Sequence, residues 1–201
     1  MKALLPVLVV AAACTMPVRD APAREPCSGH QLLKTPRPEA SCLDVAPRVF
    51  VSPDKELRAV VLPVDVSLYA TPDMESRVVI RTRTGDTITA KDYSSPRGAN
   101  GLYVVEGKWS PDSQFFAYSM SSSGGHSPWS YPVMVFSRKQ KRIAAFSDMI
   151  GGKPTLSAEF KFAGPHTLDA FTWKEAGNLE DKVPVSVNLE EAFARLPPAS
   201  D

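Results

Sequence analysis

Two stretches of this chain repeat one pattern: Val51-Ser-Pro-Asp-Lys-Glu-Leu-Arg-Ala-Val-Val61 and Trp109-Ser-Pro-Asp-Ser-Gln-Phe-Phe-Ala-Tyr-Ser119. Each has an apolar or aromatic residue, then Ser-Pro-Asp, two polar residues and a run suited to a strand. Proline fixes the backbone for a tight turn, and the aspartate carboxylate accepts hydrogen bonds from backbone N–H groups that follow it. β-Branched and aromatic residues favour strands. Both stretches therefore predict a turn that leads into a strand.

A third, degenerate copy is predicted at Phe162-Ala-Gly-Pro-His-Thr-Leu-Asp-Ala-Phe-Thr-Trp173. The copies align on Ala59, Ala117 and Ala170, which are 58 and 53 residues apart. Further strand-like runs follow the first two copies, at Val64–Tyr69, Arg77–Thr82, Asp86–Lys91, Pro132–Ser137 and Lys141–Phe146. We therefore predict a mostly β domain over residues 47–196, built from two or three blade-like antiparallel sheets, followed by a tail at 197–201.

A short helix is predicted at the C-terminal end of this domain. Lys182–Val187 alternates like a strand, and Asn188 is a residue type that caps helix N-termini. The apolar residues after it share one helical face, and a Pro-Pro pair ends the pattern; these residues are Leu189, Ala192, Phe193, Leu196, Pro197 and Pro198. The helix is expected to pack on a sheet.

The two clear units resemble the Ser-Pro-Asp-Gly repeats of TolB-type β-propellers over about 12 residues each. Lys55 and Ser113 stand where that family has glycine. A closed propeller needs about four to eight blades, so three units predict an open or sandwiched arrangement, or else assembly with other chains into a ring. TolB-type domains are adaptors in the cell envelope, so the resemblance implies an interaction or assembly role.

The N-terminus is typical of an export signal. Lys2 supplies a positive charge, Ala3–Ala13 is apolar, and Cys14 follows directly. This run is too short to span a bilayer as a helix, which takes about 20 residues. It resembles a bacterial lipoprotein signal, in which residues 1–13 are removed and Cys14 is lipidated. The alternative is ordinary cleavage after Ala13 and a soluble periplasmic or secreted product.

Residues 14–46 are predicted to form a Pro-rich tether, because six prolines between positions 17 and 47 prevent helix and sheet. Lipidation of Cys14 would leave Cys27 and Cys42 as a pair, which predicts a disulfide in an oxidising compartment. The chain would then be held in the bacterial envelope by its lipid and face the periplasm.

Composition excludes several classes of function. Lys and Arg number 23 against 22 Asp and Glu, so the charge balance gives no reason to expect a nucleic-acid partner. No phosphate-binding loop, nucleophile elbow or zinc motif is present, and we expect neither a cofactor nor a metal. A hydrolase with a scattered active site is one alternative, and it would need His126 or His166 next to an acid and a nucleophile.

A polar loop at residues 121–132 carries the candidate ligand-binding residues His126, Trp129 and Tyr131. Aromatic side chains presented with serine and glycine are typical of adaptable binding surfaces. The competing interpretation is that Trp129 and Tyr131 cover a sheet edge. The sequence therefore predicts a non-enzymatic envelope lipoprotein that binds a protein partner. A small-ligand or glycan-binding protein is the second alternative.

Overall fold

A computed structural model of the chain describes residues 47–64, 75–95, 101–124, 130–173 and 182–198. The signal peptide, the tether, Cys14, the Cys27–Cys42 pair, His126 and Trp129 lie outside the described residues, as does most of the predicted strand at Val64–Tyr69, and these remain predictions. Within the described part, no helix is long and apolar enough to cross a membrane.

The described chain is mostly β, as predicted, and forms three antiparallel sheets. Sheet 1 contains β1 (Arg48–Val51), β2 (Leu57–Pro63), β3 (Ser76–Thr82) and β4 (Thr87–Asp92) in the order β1-β2-β3-β4. Sheet 2 contains β5 (Leu102–Trp109), β6 (Phe115–Ser122), β7 (Val133–Ser137) and β8 (Arg142–Ala145) in the same meander, and helix α1 (Phe146–Met149) follows it. Sheet 3 contains β9 (Lys161–Phe162), β10 (Thr167–Trp173) and β11 (Lys182–Asn188) in the order β11-β10-β9, followed by helix α2 (Leu189–Arg195).

The three sheets stack face to face, with sheet 2 in the middle. One face of β6 packs on sheet 1 through Phe116, Tyr118 and Met120, in a cluster that also holds Leu57 and Ile80. The opposite face of sheet 2 packs on sheet 3 and α2; the shared cluster contains Phe115, Ala117, Val135, Leu168, Val187 and Phe193. Sheet 2 is therefore apolar on both faces, which explains why β6 has no solvent-facing position before its last two residues.

Equivalent elements of neighbouring sheets lie side by side. The Trp109 Nε1–H at the end of β5 donates to the Phe50 carbonyl of β1 at 2.9 Å. Lys108 in β5 donates to the Phe160 carbonyl, just before β9, at 3.4 Å. The first strands of all three sheets thus share one side of the stack. This alignment is the open, sandwiched arrangement of blade-like sheets that the sequence predicted.

The two Ser-Pro-Asp turns have the same conformation. In the first, the Ser52 hydroxyl donates to Asp54 at 2.6 Å and accepts from the Leu57 N–H at 3.0 Å. In the second, the Ser110 hydroxyl donates to Asp112 at 2.6 Å and accepts from the Phe115 N–H at 2.9 Å. Each turn joins the first strand of its sheet to the second.

The residue after each aspartate adopts a left-handed backbone, with φ of 64° at Lys55 and 65° at Ser113. Glycine adopts this conformation without steric cost. The Ser113 hydroxyl also accepts a hydrogen bond from the Asp54 N–H at 3.0 Å, so it links the two turns.

Lys55→Gly is expected to raise the free energy of unfolding by up to about 1 kcal/mol, because it relieves the left-handed strain at an exposed position. Ser113→Gly is the matched comparison, and it should gain less or lose stability because it also removes the acceptor for the Asp54 N–H. Urea unfolding midpoints measure both variants. A loss of stability in Lys55→Gly larger than that in Ser113→Gly would contradict this account of the turns.

The alanine alignment of the third copy does not match the direction in which its residues face. Ala59 faces sheet 2 and Ala117 faces sheet 3, the next sheet in each case. Ala170 instead faces back onto sheet 2. An alignment of Pro165 with the prolines of the two Ser-Pro-Asp turns removes this disagreement in direction. It places His166 at the position of the turn aspartates. It also places Phe171 at the position of Ala59 and Ala117, which face the next sheet.

The predicted C-terminal helix is present, capped as expected. The Asn188 side chain accepts hydrogen bonds from the N–H groups of Glu190 at 3.1 Å and Glu191 at 3.3 Å. Leu189, Ala192 and Phe193 are buried against sheet 2. Several strand boundaries differ from their predictions by one residue. The C-terminal end of β8 is one of them: Phe146 begins α1 instead of ending the strand, and its ring is completely buried in the cluster between sheets 2 and 3.

Candidate functional site

Tyr131 is the one predicted ligand-binding residue that the structure describes. Its N–H donates to the Thr155 carbonyl at 2.9 Å, and the Thr155 hydroxyl donates back to the Tyr131 carbonyl. Tyr131 is half-buried. This end of the 121–132 loop is therefore fixed to the segment that leads into sheet 3.

A cleft of about 400 Å³ opens between the second Ser-Pro-Asp turn, the β7–β8 turn and α2. Its lining combines polar and apolar groups and includes Gln114, Phe115, Lys139, Gln140, His166, Asn188, Glu190 and Phe193. Clefts of this size accommodate small ligands. The rings of Phe115 and Phe193 stack with centroids 6.0 Å apart, and both are almost completely buried.

His166 lies at this cleft between two carboxylates. Its Nε2 is 2.9 Å from Asp112 Oδ2, and its Nδ1 is 3.4 Å from Glu190 Oε2. The position follows from the fold, because the His166 carbonyl accepts the Leu189 N–H at 2.8 Å, where β11 passes into α2. The ring also meets Phe115 edge-on, at a centroid distance of 5.9 Å.

The Asp112–His166 pair lacks the third member of a nucleophilic triad. Such a triad needs one imidazole nitrogen on the acid and the other on a hydroxyl or thiol. Here both nitrogens face carboxylates, and among the described residues no hydroxyl or thiol forms a hydrogen bond with His166. The hydrolase hypothesis therefore has an acid and a base in place but no nucleophile within this region.

The first Ser-Pro-Asp turn has an equivalent pair, Asp54–Arg138, and this pair explains the role of Asp112–His166 in the second turn. Asp54 uses Oδ1 for its own turn, accepting from Ser52 and from the Glu56 N–H, and its Oδ2 accepts from Arg138 in the β7–β8 turn of sheet 2. Asp112 likewise uses Oδ1 for its own turn and Oδ2 for His166, next to sheet 3. An arginine does not act as a base at neutral pH. The shared geometry therefore indicates that each turn aspartate joins its sheet to the next one.

Electrostatics favours the ionised aspartate in the first pair. Partial burial works against ionisation of Asp54, but hydrogen bonds from Ser52, Arg138 and the Glu56 N–H, together with the charge of Arg138, lower the pKa of its carboxyl to about 2. Sequence reasoning missed Arg138, because an arginine 84 residues from its aspartate carries no spacing signal.

A buried carboxylate joins sheets 1 and 2 at the opposite end of the strands from the Ser-Pro-Asp turns. Glu75 is 2% exposed and accepts four hydrogen bonds. The donors are the Ser95 N–H at 2.7 Å, the Ser95 hydroxyl at 2.9 Å, the Gly101 N–H at 2.6 Å and the Ser123 hydroxyl at 2.8 Å. Glycine is required at position 101, because a Cβ there would lie 2.1 Å from the Glu75 carboxyl carbon. The donors belong to two connections, β4–β5 and β6–β7, and Glu75 itself lies in the β2–β3 connection, so the carboxylate holds three connections together.

A buried tyrosine, Tyr118, and a half-buried one, Tyr93, form a hydrogen bond between the same two sheets. The hydroxyls of Tyr93 and Tyr118 are 2.5 Å apart, and burial raises the pKa of both phenols. The pair is therefore neutral at physiological pH, and each hydroxyl gives the other a partner inside the core. A structural role accounts for it fully.

Sheet 2 packs on the inner face of sheet 1, and the outer face of sheet 1 is exposed at the β1 edge but not at its centre, where Val79 is only 3% exposed. Cross-strand partners place Val49, Val60, Val79 and Ala90 in one row and Val51, Arg58, Arg81 and Thr87 in the next. Val49 and Val51 are 53% and 51% exposed, the highest values among the large apolar residues that the structure describes. We call this surface the arginine–valine face, comprising Val49, Val51, Arg58, Val60, Arg77, Val79 and Arg81.

The described residues contain no group of three or more His, Cys, Asp or Glu side chains placed to hold a metal ion. Compared with known proteins, the chain matches no protein-family model and no curated protein.

Proposed function

We propose that this chain is a non-enzymatic interaction module of a bacterial cell envelope, held at the membrane by a lipid on Cys14 and reaching its partner through the tether of residues 14–46. The observation that carries this proposal is the pair of exposed valines, Val49 and Val51, at the β1 edge of the arginine–valine face. Exposed valines gathered on one sheet face are typical of an interaction surface, whereas scattered apolar residues need no explanation.

The resemblance to TolB-type repeats supports the same role. The two Ser-Pro-Asp turns share their hydrogen bonds and their left-handed residue, and each joins the first two strands of a four-stranded meander. A common repeat ancestry accounts for this agreement, and an adaptor role is what that family implies. The His166 pair supports a non-enzymatic role because its geometry matches the structural Asp54–Arg138 pair.

Formaldehyde cross-linking of intact cells, followed by sizing of detergent-extracted membranes, tests the proposal. The full chain is expected in the membrane fraction, in a discrete species larger than one chain. Cys14→Ser should abolish labelling by a radioactive fatty acid and reduce the cross-linked species, because the tethered chain no longer concentrates at the membrane. Ser28→Ala, which alters another small side chain before the domain, is the control and should change neither.

Two results would overturn the proposal. One is a chain that remains monomeric in membranes under all cross-linking conditions. The other is hydrolysis of a panel of ester, peptide or glycoside substrates that is lost in His166→Ala, since that outcome would make the cleft an active site.

A further inference from the structure

We infer that β1 is the strand through which two copies of this chain associate, edge to edge, so that sheet 1 continues from one copy into the other. This inference rests on the proposed function, because it names the partner of the module and the surface that binds it. Four features carry it: the direction of the β1 backbone groups, the flanking prolines, the register of two facing copies and the exposed valines.

The free edge of β1 presents backbone hydrogen-bonding groups at two residues. The Ser52 N–H, directly after β1, donates to the Leu57 carbonyl of β2 at 3.0 Å. Because alternate residues of an antiparallel strand bond to the same neighbour, the even-numbered residues of β1 face β2, and the N–H and C=O groups of Val49 and Val51 point away from sheet 1. β1 is the edge strand of its sheet, and among the described residues no hydrogen bond reaches these groups.

Prolines limit this edge on both sides. The next odd-numbered residues are Pro47 and Pro53, and neither has an N–H to donate to an added strand. Proline and short length are common means by which edge strands avoid unwanted pairing. The donors of this edge are therefore confined to Val49 and Val51, so the strand that pairs with it must match a pattern of two residues.

A second copy of β1 has the matching pattern. When two antiparallel copies cross at Phe50, Val49 of one copy lies opposite Val51 of the other, and both such pairs are hydrogen-bonded pairs. All four outward N–H and C=O groups of each copy then have a partner. Arg48 lies opposite Ser52 of the second copy, so no like charges face each other directly. A shift of two residues would place a proline opposite a valine and leave a carbonyl without its donor.

The exposed apolar side chains lie on the same side of the stack. Val49, Val51 and Val105 are three of the four exposed large apolar residues among those the structure describes. Val105 belongs to β5, and its carbonyl accepts from Arg48 of β1 at 3.0 Å, so the two strands are neighbours. In the dimer Val49 packs beside Val51 of the second copy, and the β5 strands of the two copies face each other. Cross-strand pairs of β-branched residues stabilise a sheet.

The size of this contact indicates a dimer that forms at the membrane. Strands of four and eight residues at about 3.3 Å per residue, in two layers about 10 Å apart, give an area on the order of 500 Å² per copy. This is below the roughly 800 Å² per partner of a stable standard interface. A lipid on Cys14 would compensate, because it confines the copies to one surface and raises their local concentration.

Disulfide trapping in membranes of the producing cells tests the register with the full-length chain. One tagged copy carries Val49→Cys and a differently tagged copy carries Val51→Cys, both in a parent with Cys27→Ser and Cys42→Ser that sets the background. Opposed residues of a hydrogen-bonded pair have Cα atoms about 5.5 Å apart, which a disulfide can bridge. The mixed disulfide is expected at about five times the yield of the disulfide between two copies of either variant. Ala90→Cys mixed with Val51→Cys, at opposite edges of the same face, is the matched control and should give none.

Val49→Pro should lower the yield of the formaldehyde-linked dimer about tenfold, because it removes an outward N–H while the bonds between β1 and β2 remain. Ala90→Pro is the matched control at the β4 edge and should leave the yield unchanged. The Tyr93 N–H donates to the Ser76 carbonyl, so by alternation the Ala90 N–H also points away from its sheet. Val51→Lys keeps the backbone intact, places a charge at the seam and should lower the yield as well. Thermal unfolding of the three variants confirms that the domain stays folded.

The inference is overturned if no mixed disulfide forms, if the control pair gives as much of it as the test pair, or if disulfides between like variants exceed it. It is also overturned if the variants at the β1 edge lower the dimer yield no more than Ala90→Pro does. If formaldehyde instead links the chain to another protein, the proposed function stands and only the second copy is wrong as the partner. If formaldehyde captures no complex, both fail.

Discussion

Glu75→Ala is expected to lower the free energy of unfolding by about 3 to 5 kcal/mol, because it removes the acceptor of four buried hydrogen bonds at once. Two of the donors are the backbone N–H groups of Ser95 and Gly101, which cannot rotate to reach another acceptor. Glu75→Gln keeps the shape of the side chain but places an amide N–H₂ among donors, so it should still cost about 2 kcal/mol. A domain of ordinary stability would lose a large part of its free energy of unfolding in either variant.

Chemical denaturation by urea, followed by tryptophan fluorescence, measures both variants. Ser123→Ala is the control, since it removes a single donor to the same carboxylate and should cost about 1 kcal/mol. If Glu75→Ala costs no more than Ser123→Ala, the carboxylate does not hold the three connections together. A larger loss in Glu75→Gln than in Glu75→Ala would show instead that the misplaced amide, and not the lost acceptor, dominates the energetics.

Phe116→Ala is expected to cost about 3 to 5 kcal/mol, because the side chain is fully buried between sheets 1 and 2 and truncation leaves a cavity. Its ring lies 5.5 Å from Phe50, 5.1 Å from Trp109 and 5.6 Å from Tyr118, measured between centroids. The lost contacts therefore extend to β1 and β5 as well as along β6. Little relaxation is possible, since Gly107 already brings the backbone of β5 close to the ring.

Phe171→Ala is the matched control for this prediction. It makes the same truncation in the second strand of sheet 3, at a side chain that is 37% exposed on the outer face. We expect a loss below about 1 kcal/mol. Differential scanning calorimetry of both variants measures the contrast. Equal losses in the two variants would show that sheet 3 is covered on its outer face, contrary to the arrangement described here.

Much of the fold was predictable from local sequence signals. Ser-Pro-Asp specifies its turn through three adjacent side chains, and Asn188 specifies a helix start through its own carbonyl oxygen. These interactions act within a few residues, so the sequence reports them directly. The direction in which Ala170 faces was not predictable in this way, because it depends on which side of sheet 3 meets sheet 2.

The candidate sites depend on long-range contacts, and this explains why sequence reasoning found few of them. Glu75 resembles an ordinary surface glutamate until the fold brings Ser123 to it from 48 residues away. The sequence analysis named His166 as a histidine that would need an adjacent acid in a hydrolase. Its equivalence to the turn aspartates became visible only from the direction in which the strands of sheet 3 face. The arginine–valine face was not predicted, because Arg58 and Arg81 become neighbours only through the register of β2 and β3.

The central position of sheet 2 has a consequence for how the domain unfolds. Because β6 contributes Phe115 and Ala117 to one cluster and Phe116 and Tyr118 to the other, neither cluster can open without disturbing the strand that both share. Amide protons of β6 should therefore exchange only through global unfolding, and the three sheets should melt in a single transition. Removing sheet 1 or sheet 3 would leave a bare aromatic or aliphatic surface, so the repeat units of this chain are not separable domains.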